Sequence, residues 1–187
     1  MKQKVINIYG GPGTGKSTTA AMLFAKMKLA GINCEYVSEF AKDLAWEFSS
    51  NSGDLKALLA QEYVFAQQHF RMRRCSGEVE YIITDSPLLL SKVYIRDDFE
   101  LPSLYNVIDE AYAMYDNIDI LLNRVKPYNP KGRFQTSTEA ESIDRKIKDL
   151  LPKPKQHYVY DADEYAADII FDLIQMKKEF NEYFKNE

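Results

Sequence analysis

Five short runs rich in apolar and β-branched residues punctuate the chain: Val5-Ile6-Asn7-Ile8-Tyr9, Cys34-Glu35-Tyr36-Val37, Tyr81-Ile82-Ile83-Thr84-Asp85, Ile118-Asp119-Ile120-Leu121-Leu122 and His157-Tyr158-Val159-Tyr160. Their lengths suit buried strands. The stretches between them read as helices. Ala20, Leu23, Phe24 and Met27 recur at three- and four-residue intervals from about Lys16 to Ala30, and Gly31 is a natural stop. Phe40, Leu44, Trp46 and Phe48 mark a second helix, closed by the loop Ser49-Ser50-Asn51-Ser52-Gly53. Asp54 caps a longer helix from about Leu55 to Arg74, with Leu55, Leu59, Tyr63, Ala66 and Phe70 as its expected buried stripe. Gln61, Phe65, Gln68 and Met72 share another face of it.

Residues Leu88 to Ile95 read as helical, Asp97 to Pro102 as an exposed acidic loop, and Ser103 as the cap of a helix to about Tyr115. Thr136-x-x-Glu139 or Thr138-x-x-Glu141 forms a capping box before Ile143, Ile147 and Leu150. The last helix spans about Asp163 to Phe184, with Ala166, Ile169, Leu173, Phe180 and Phe184 facing inward. No internal repeat, low-complexity tract or linker interrupts the alternation. The pattern predicts one α/β domain over 1–187, a three-layer sandwich whose five-stranded parallel sheet is covered on both faces, with the first strand central.

Between the first strand and the first helix lies Gly10-Gly11-Pro12-Gly13-Thr14-Gly15-Lys16-Ser17-Thr18, which satisfies G-x-x-x-x-G-K-[ST]. The glycines let successive N–H groups turn toward phosphate oxygens, and the helix start adds partial positive charge. Lys16 is expected on the β- and γ-phosphates and the Ser17 hydroxyl on Mg²⁺. A nucleoside-triphosphate site with Mg²⁺ follows, in a P-loop NTPase fold.

Open parallel sheets place ligands at the carboxyl ends of their strands. Glu39 follows the second strand, in Ser38-Glu39-Phe40-Ala41-Lys42, where it is either functional or a first-turn glutamate behind a Ser38 cap. Asp85 ends the third, as a Walker-B-like acid for Mg²⁺ does, or as an ordinary turn former. After the fourth strand, 124–136 is rich in Pro, Gly and cations and reads as a basic lid carrying Arg124, Lys126, Lys131 and Arg133, or else as a solvated loop. A glutamine on the Gln61–Gln68 face could read a base edge through both its donor and its acceptor, if that face meets the cleft. Arg71, Arg73 and Arg74 cluster at the end of the same helix, where they also offset its dipole. The acceptor-binding region is thus expected within 38–80.

Composition narrows the picture modestly. A chain of 187 residues, 45% hydrophobic and 28% charged, suits one globular domain, and the net charge of −4 argues against nucleic acid as an obligatory partner. Cys34 and Cys75 have no metal or redox spacing, which suits a reducing compartment. No signal peptide is read at the start, and no apolar run reaches the ~18 residues of a membrane helix, so a cytoplasmic protein without membrane contact is expected.

No N-K-x-D-type guanine reader is present, and the acid after the second strand together with an arginine-bearing lid favours a kinase over a hydrolysing switch. The whole chain resembles small P-loop kinases of nucleoside and nucleotide metabolism, and in particular the AAA-like NAD-metabolism kinase group with ribosylnicotinamide kinase domains and bacteriophage relatives. Gly10 to Thr18, Ser38 to Lys42, Gln61, Gln67 and Gln68, Asp85-Ser86-Pro87 and Gly132-Arg133 carry the resemblance. It implies ATP as donor, a nucleoside- or nucleotide-type acceptor, Glu39 or Asp85 as acceptor base or Mg²⁺ organiser, and Arg124 and Arg133 as lid arginines. Gln61, Gln68 and Arg71 are the expected acceptor contacts besides Glu39. Lys42 stands where the group often has arginine, and Lys131-Gly132-Arg133 replaces an Asp-Gly-x-Arg-like sequence. Pro87 resembles instead the Arg-Ser-Pro stretch of deoxynucleoside kinases. Three alternatives accompany the reading: a phage-type kinase acting on 5-hydroxymethyluracil in DNA, a thymidylate-kinase-like enzyme, and an NTP-hydrolysing switch or assembly ATPase. Self-association as a homodimer is left open.

Overall fold

The computed structural model describes residues 2–51, 60–96, 101–127, 136–151 and 157–183. Strands β1 (Lys4–Tyr9), β2 (Cys34–Val37), β3 (Tyr81–Thr84), β4 (Asp116–Asn123) and β5 (His157–Asp161) form one sheet in the order β2-β3-β1-β4-β5, with all pairs parallel. The expected α/β sandwich and the central place of β1 both hold. Alternation along β1 shows why: Val5 and Tyr9 enter one core, Ile6 and Ile8 the other.

Helices α1 (Lys16–Leu29) and α7 (Ala166–Tyr183) cover one face through Leu23, Met27, Ile170 and Ile174. The other face is covered by α3 (Gln61–Cys75), α4 (Leu90–Tyr94), α5 (Ser103–Ala113) and α6 (Ser137–Leu150). Helix α2 (Phe40–Asn51) follows β2 and packs on α3. The Gly31 stop takes Schellman form: Ile32 N–H donates to Met27 O at 2.9 Å and Gly31 N–H to Lys28 O at 3.0 Å. Of the two capping boxes, Thr136 with Glu139 is the one built, and both of its reciprocal bonds are present.

Two expected stripes are corrected. On α3, Tyr63 and Phe70 are exposed at 42% and 60%, and the buried face is the glutamine face: Gln61, Val64, Phe65, Gln68 and Met72. Hydropathy pointed elsewhere because the Gln68 amide is satisfied internally and so can be buried. On α7, Ile169 and Phe180 are exposed and Ala167, Ile170 and Ile174 take their place. A sheet offers a broad flat surface, and two neighbouring alanines let α7 lie close against it. Three boundaries also move: β4 starts at Asp116, the second helix runs on to Asn51, and the last begins at Ala166. The Asp54 cap, the Asp97–Glu100 loop, and Lys131 and Arg133 of the lid lie outside the described residues.

Among the described residues no helix is long and apolar enough to cross a membrane.

Candidate phosphoryl-transfer cleft

The phosphate loop leaves β1 at its carboxyl end and enters α1. Gly13 and Gly15 hold φ of +74° and +113°, a region costly for side chains with a Cβ. Gly11 is the hub of the loop. Its carbonyl accepts from Thr14 N–H (3.2 Å), the Thr14 hydroxyl (2.6 Å) and Lys16 Nζ (3.2 Å). Gly10, Gly11 and Thr14 are buried, Pro12, Gly13, Gly15, Lys16 and Ser17 half-buried, and Thr18 exposed. These bonds fix the curl of the backbone cradle.

Parallel strands bring the other expected groups to the same edge. Asp85 follows β3 directly, next to β1, and is 1% exposed. Its Oδ1 is buried with no hydrogen-bond partner among the described residues. Glu39 ends the turn after β2, half-buried. Burial raises the pKa of its carboxyl; Lys16 opposes that shift and Asp85 adds to it. Burial lowers the Lys16 pKa in turn, against the attraction of Glu39, Asp85 and Asp144. The three carboxylates and the phosphate lysine therefore share one electrostatic neighbourhood.

Arg124 follows β4 and lies against Asp144 of α6. Asp144 Oδ2 accepts from Arg124 Nε (3.2 Å) and Nη2 (3.0 Å), while Oδ1 accepts from Gly11 N–H (2.8 Å). Asp144 carried no signal in the sequence, being one acid in a charged amphipathic helix. Two tyrosines were also passed over. The Tyr36 hydroxyl lies between Asp85 and Ser17, and its pKa is raised by burial and by Asp85. Tyr94 faces the same space: burial raises its pKa, with contributions from Glu39 and Asp144. Period-2 alternation along β2 could have flagged Tyr36; nothing local singles out Tyr94.

The expected acceptor contacts fare differently. Gln68 is spent on the fold: Oε1 accepts from Phe40 N–H at 2.9 Å, and Nε2 donates to Ser38 O and Thr84 Oγ1 at 3.3 and 3.4 Å. It fixes the turn that presents Glu39, and takes the N–H at the start of α2 in place of a Ser38 cap. Its amide is therefore not free to read a base, which corrects the expectation. Arg71 bonds Asp43 at 2.5 Å and lies over the Phe40 ring at 4.9 Å, which ties α3 to α2. Gln61 is buried at the start of α3.

Ser17 and Asp85 fit a Mg²⁺ ion. A buried carboxylate oxygen without a donor is what a hard cation neutralises, and Mg²⁺ commonly takes one or two protein oxygens and completes its shell with phosphates and water. An all-protein cage is not needed, and none is built: no cluster of three or more His, Cys, Asp or Glu that could hold a metal occurs among the described residues.

Comparison with known proteins agrees with this architecture. The family model described as AAA domain matches residues 5–168. Thymidylate kinase from Candida albicans superposes with a TM-score of 0.59 at 15% identity, covering 97% of this chain and 93% of that one. Thymidylate kinase from Ehrlichia chaffeensis gives 0.56 at 13% identity, covering 94% and 100%. At these identities the likeness is one of fold. No curated protein sequence matches the chain.

Proposed function

The chain belongs to the AAA-domain family, and on that premise we propose that it is an ATP-dependent kinase that passes the γ-phosphoryl group to a hydroxyl of a nucleoside- or nucleotide-type acceptor. One observation carries the reading. A half-buried carboxylate, Glu39, shares the electrostatic neighbourhood of the phosphate-loop lysine, and burial raises its pKa above the ordinary carboxylate value, which makes it a better proton acceptor. The thymidylate-kinase likeness in fold supports an acceptor of nucleotide size.

The chemistry is an in-line displacement. The loop N–H groups and Lys16 hold the β- and γ-phosphates. Glu39 accepts the proton of the acceptor hydroxyl as the new O–P bond forms, and the bond to the bridging oxygen breaks to release ADP. Arg124 and Lys16 neutralise the charge that spreads over the transferring group. Ser17 and Asp85 would hold Mg²⁺, which would neutralise phosphate charge when bound.

A second reading has its own observation. Glu35, Tyr36, Val37, Ser38, Arg71, Arg74 and Cys75 line a hollow of about 280 Å³ along edge strand β2. Two arginines there suit an acceptor that carries a phosphate, including a nucleotide within a DNA strand.

Labelled ATP offered to nucleosides, deoxynucleotides, ribosylnicotinamide and hydroxymethyluracil-containing DNA tests both readings. Phosphorylated product is expected on one class, and Lys16→Ala should lower its formation about 1000-fold or more, with the fold intact. ADP formed at the same rate with and without every acceptor would overturn the kinase reading in favour of a switch ATPase.

A further inference from the structure

We propose that Asp144 is a positioning residue: it ties Arg124 to the phosphate loop, so that the arginine meets the transferring phosphoryl group at a fixed place. The inference rests on the kinase reading and concerns a residue which that reading does not use.

The two oxygens of Asp144 are divided. Oδ1 is given to the loop through Gly11 N–H at 2.8 Å. Oδ2 alone receives both the Nε and Nη2 donors of Arg124, at 3.2 and 3.0 Å. An arginine paired freely with a carboxylate commonly takes one donor to each oxygen. Here the second oxygen is committed to the loop, so guanidinium and loop are referenced to one carboxyl plane. Arg124 emerges from the end of β4 on a long side chain with much rotamer freedom to lose, so fixing it before substrate arrives is worth having.

Gly11 supplies the second observation. The phosphate-loop pattern accepts any residue at this position. Its φ is not among the positive ones, so its backbone would tolerate alanine. Yet a Cβ on Gly11 would lie 2.1 Å from Asp144 Oδ1, 2.9 Å from its Cγ and 3.3 Å from Ala140 O. The glycine is needed for the approach of α6, not for the turn.

The third observation is rigidity. Asp144 hangs from a helix pinned on its inner side by Ala140 and Ile147, 1% and 0% exposed. The same helix is capped by Thr136 and Glu139. A carboxylate held this way locates its partners; it does not swing with them.

The opposite assignment uses the same contacts. Asp144 could occupy the place of a phosphate and obstruct the nucleotide. The two differ in sign. Asp144→Asn keeps the size and an acceptor for Gly11 N–H, but turns an NH₂ toward the guanidinium. Gly11→Ala keeps the carboxylate and displaces it from the loop. With a phosphorylated acceptor in hand, kcat should fall about 10- to 100-fold in each variant, with the KM for ATP changed less than about threefold. The double variant should be no slower than the worse single one. The Arg124 Nε–H resonance, assigned by its loss in Arg124→Lys, should shift and exchange faster in both variants. Melting curves establish that each is folded, and either variant alone suffices should the other fail. A tighter KM for ATP with kcat maintained in Asp144→Asn would overturn positioning in favour of obstruction. An unmoved resonance with unchanged kcat in both variants would overturn any role. Should the wild type phosphorylate nothing, the kinase reading falls, and the resonance still reports whether Asp144 holds Arg124.

Discussion

Asp85, just past the end of β3, and Asp119, within β4, belong to the two strands that flank β1, and both are almost wholly buried, at 1% and 3%. Their surroundings differ completely. Asp119 sits in mid-sheet opposite Asn7, whose Nδ2 donates to Oδ1 at 2.9 Å, and the Tyr112 hydroxyl donates to Oδ2 at 2.5 Å. Asn117 joins through Asn7 at 2.9 Å and returns to the Tyr112 carbonyl at 2.8 Å. Asp85 sits one residue past its strand, beside the Tyr36 hydroxyl, and its Oδ1 makes no hydrogen bond among the described residues. A buried carboxylate whose lone pairs are met belongs to the architecture; one with an unbonded oxygen at the carboxyl edge of a parallel sheet stands where such sheets place their ligands. Burial by itself does not separate the two, and neither does residue type.

Removing each carboxylate should therefore move opposite observables, and this is the largest expected contrast. Asp85→Ala should lower phosphoryl transfer about 100-fold or more and leave the melting temperature unchanged or raised, since a buried carboxylate oxygen without a hydrogen bond is lost. Asp119→Ala strands the Asn7 amide and the Tyr112 hydroxyl, which costs on the order of 3 kcal/mol, or a melting temperature lower by roughly 6–12 °C. Turnover at a temperature where that variant is folded should stay near normal. A destabilised Asp85→Ala, or a stable Asp119→Ala, would erase the distinction.

pH sharpens it further. Burial raises the Asp119 pKa above its ordinary 3.8, so the folded chain binds that proton more tightly than the unfolded chain does. The resulting stability is fully present below the unfolded value, and is lost as pH rises through the raised folded one. Glu39 has the same sign from its ordinary 4.5. Urea midpoints measured from pH 4 upward should fall less steeply for Asp119→Asn and for Glu39→Gln than for the wild type. Curves parallel to the wild type would mean that neither group titrates in a shifted environment.

The smallest effect belongs to the cap of α6. Thr136→Ala should cost about 1 kcal/mol, a shift of roughly 2–4 °C, while Asp144, two turns further along, keeps its place through Ile147 and transfer is little changed. A large loss of transfer would mean that the cap, rather than the core, locates Asp144.

The donor half of the cleft was legible because it is contiguous. Nine residues from Gly10 to Thr18 carry the loop, its lysine and its hydroxyl, and the flanking strand and helix complete it. Glu39, Asp85 and Arg124 were legible by one step of inference, that strands of a parallel sheet end at a common edge. The acceptor side was not. The wet-looking face of α3 is its buried one, because Ser38, Phe40 and Thr84 supply the Gln68 amide with partners 16 to 30 residues away. Asp144 reaches Gly11 across 133 residues. No local pattern records a bond of that span.

The order of apolar runs and the G-x-x-x-x-G-K-S loop thus determined the α/β architecture, the central strand and the phosphate loop between β1 and α1, because period and turn chemistry are properties of neighbouring residues. Tertiary structure alone decided which carboxylates are satisfied, which glutamine is structural, and that Gly11 makes room for Asp144. Those outcomes depend on which groups are left without water and which partners stand close enough to replace it.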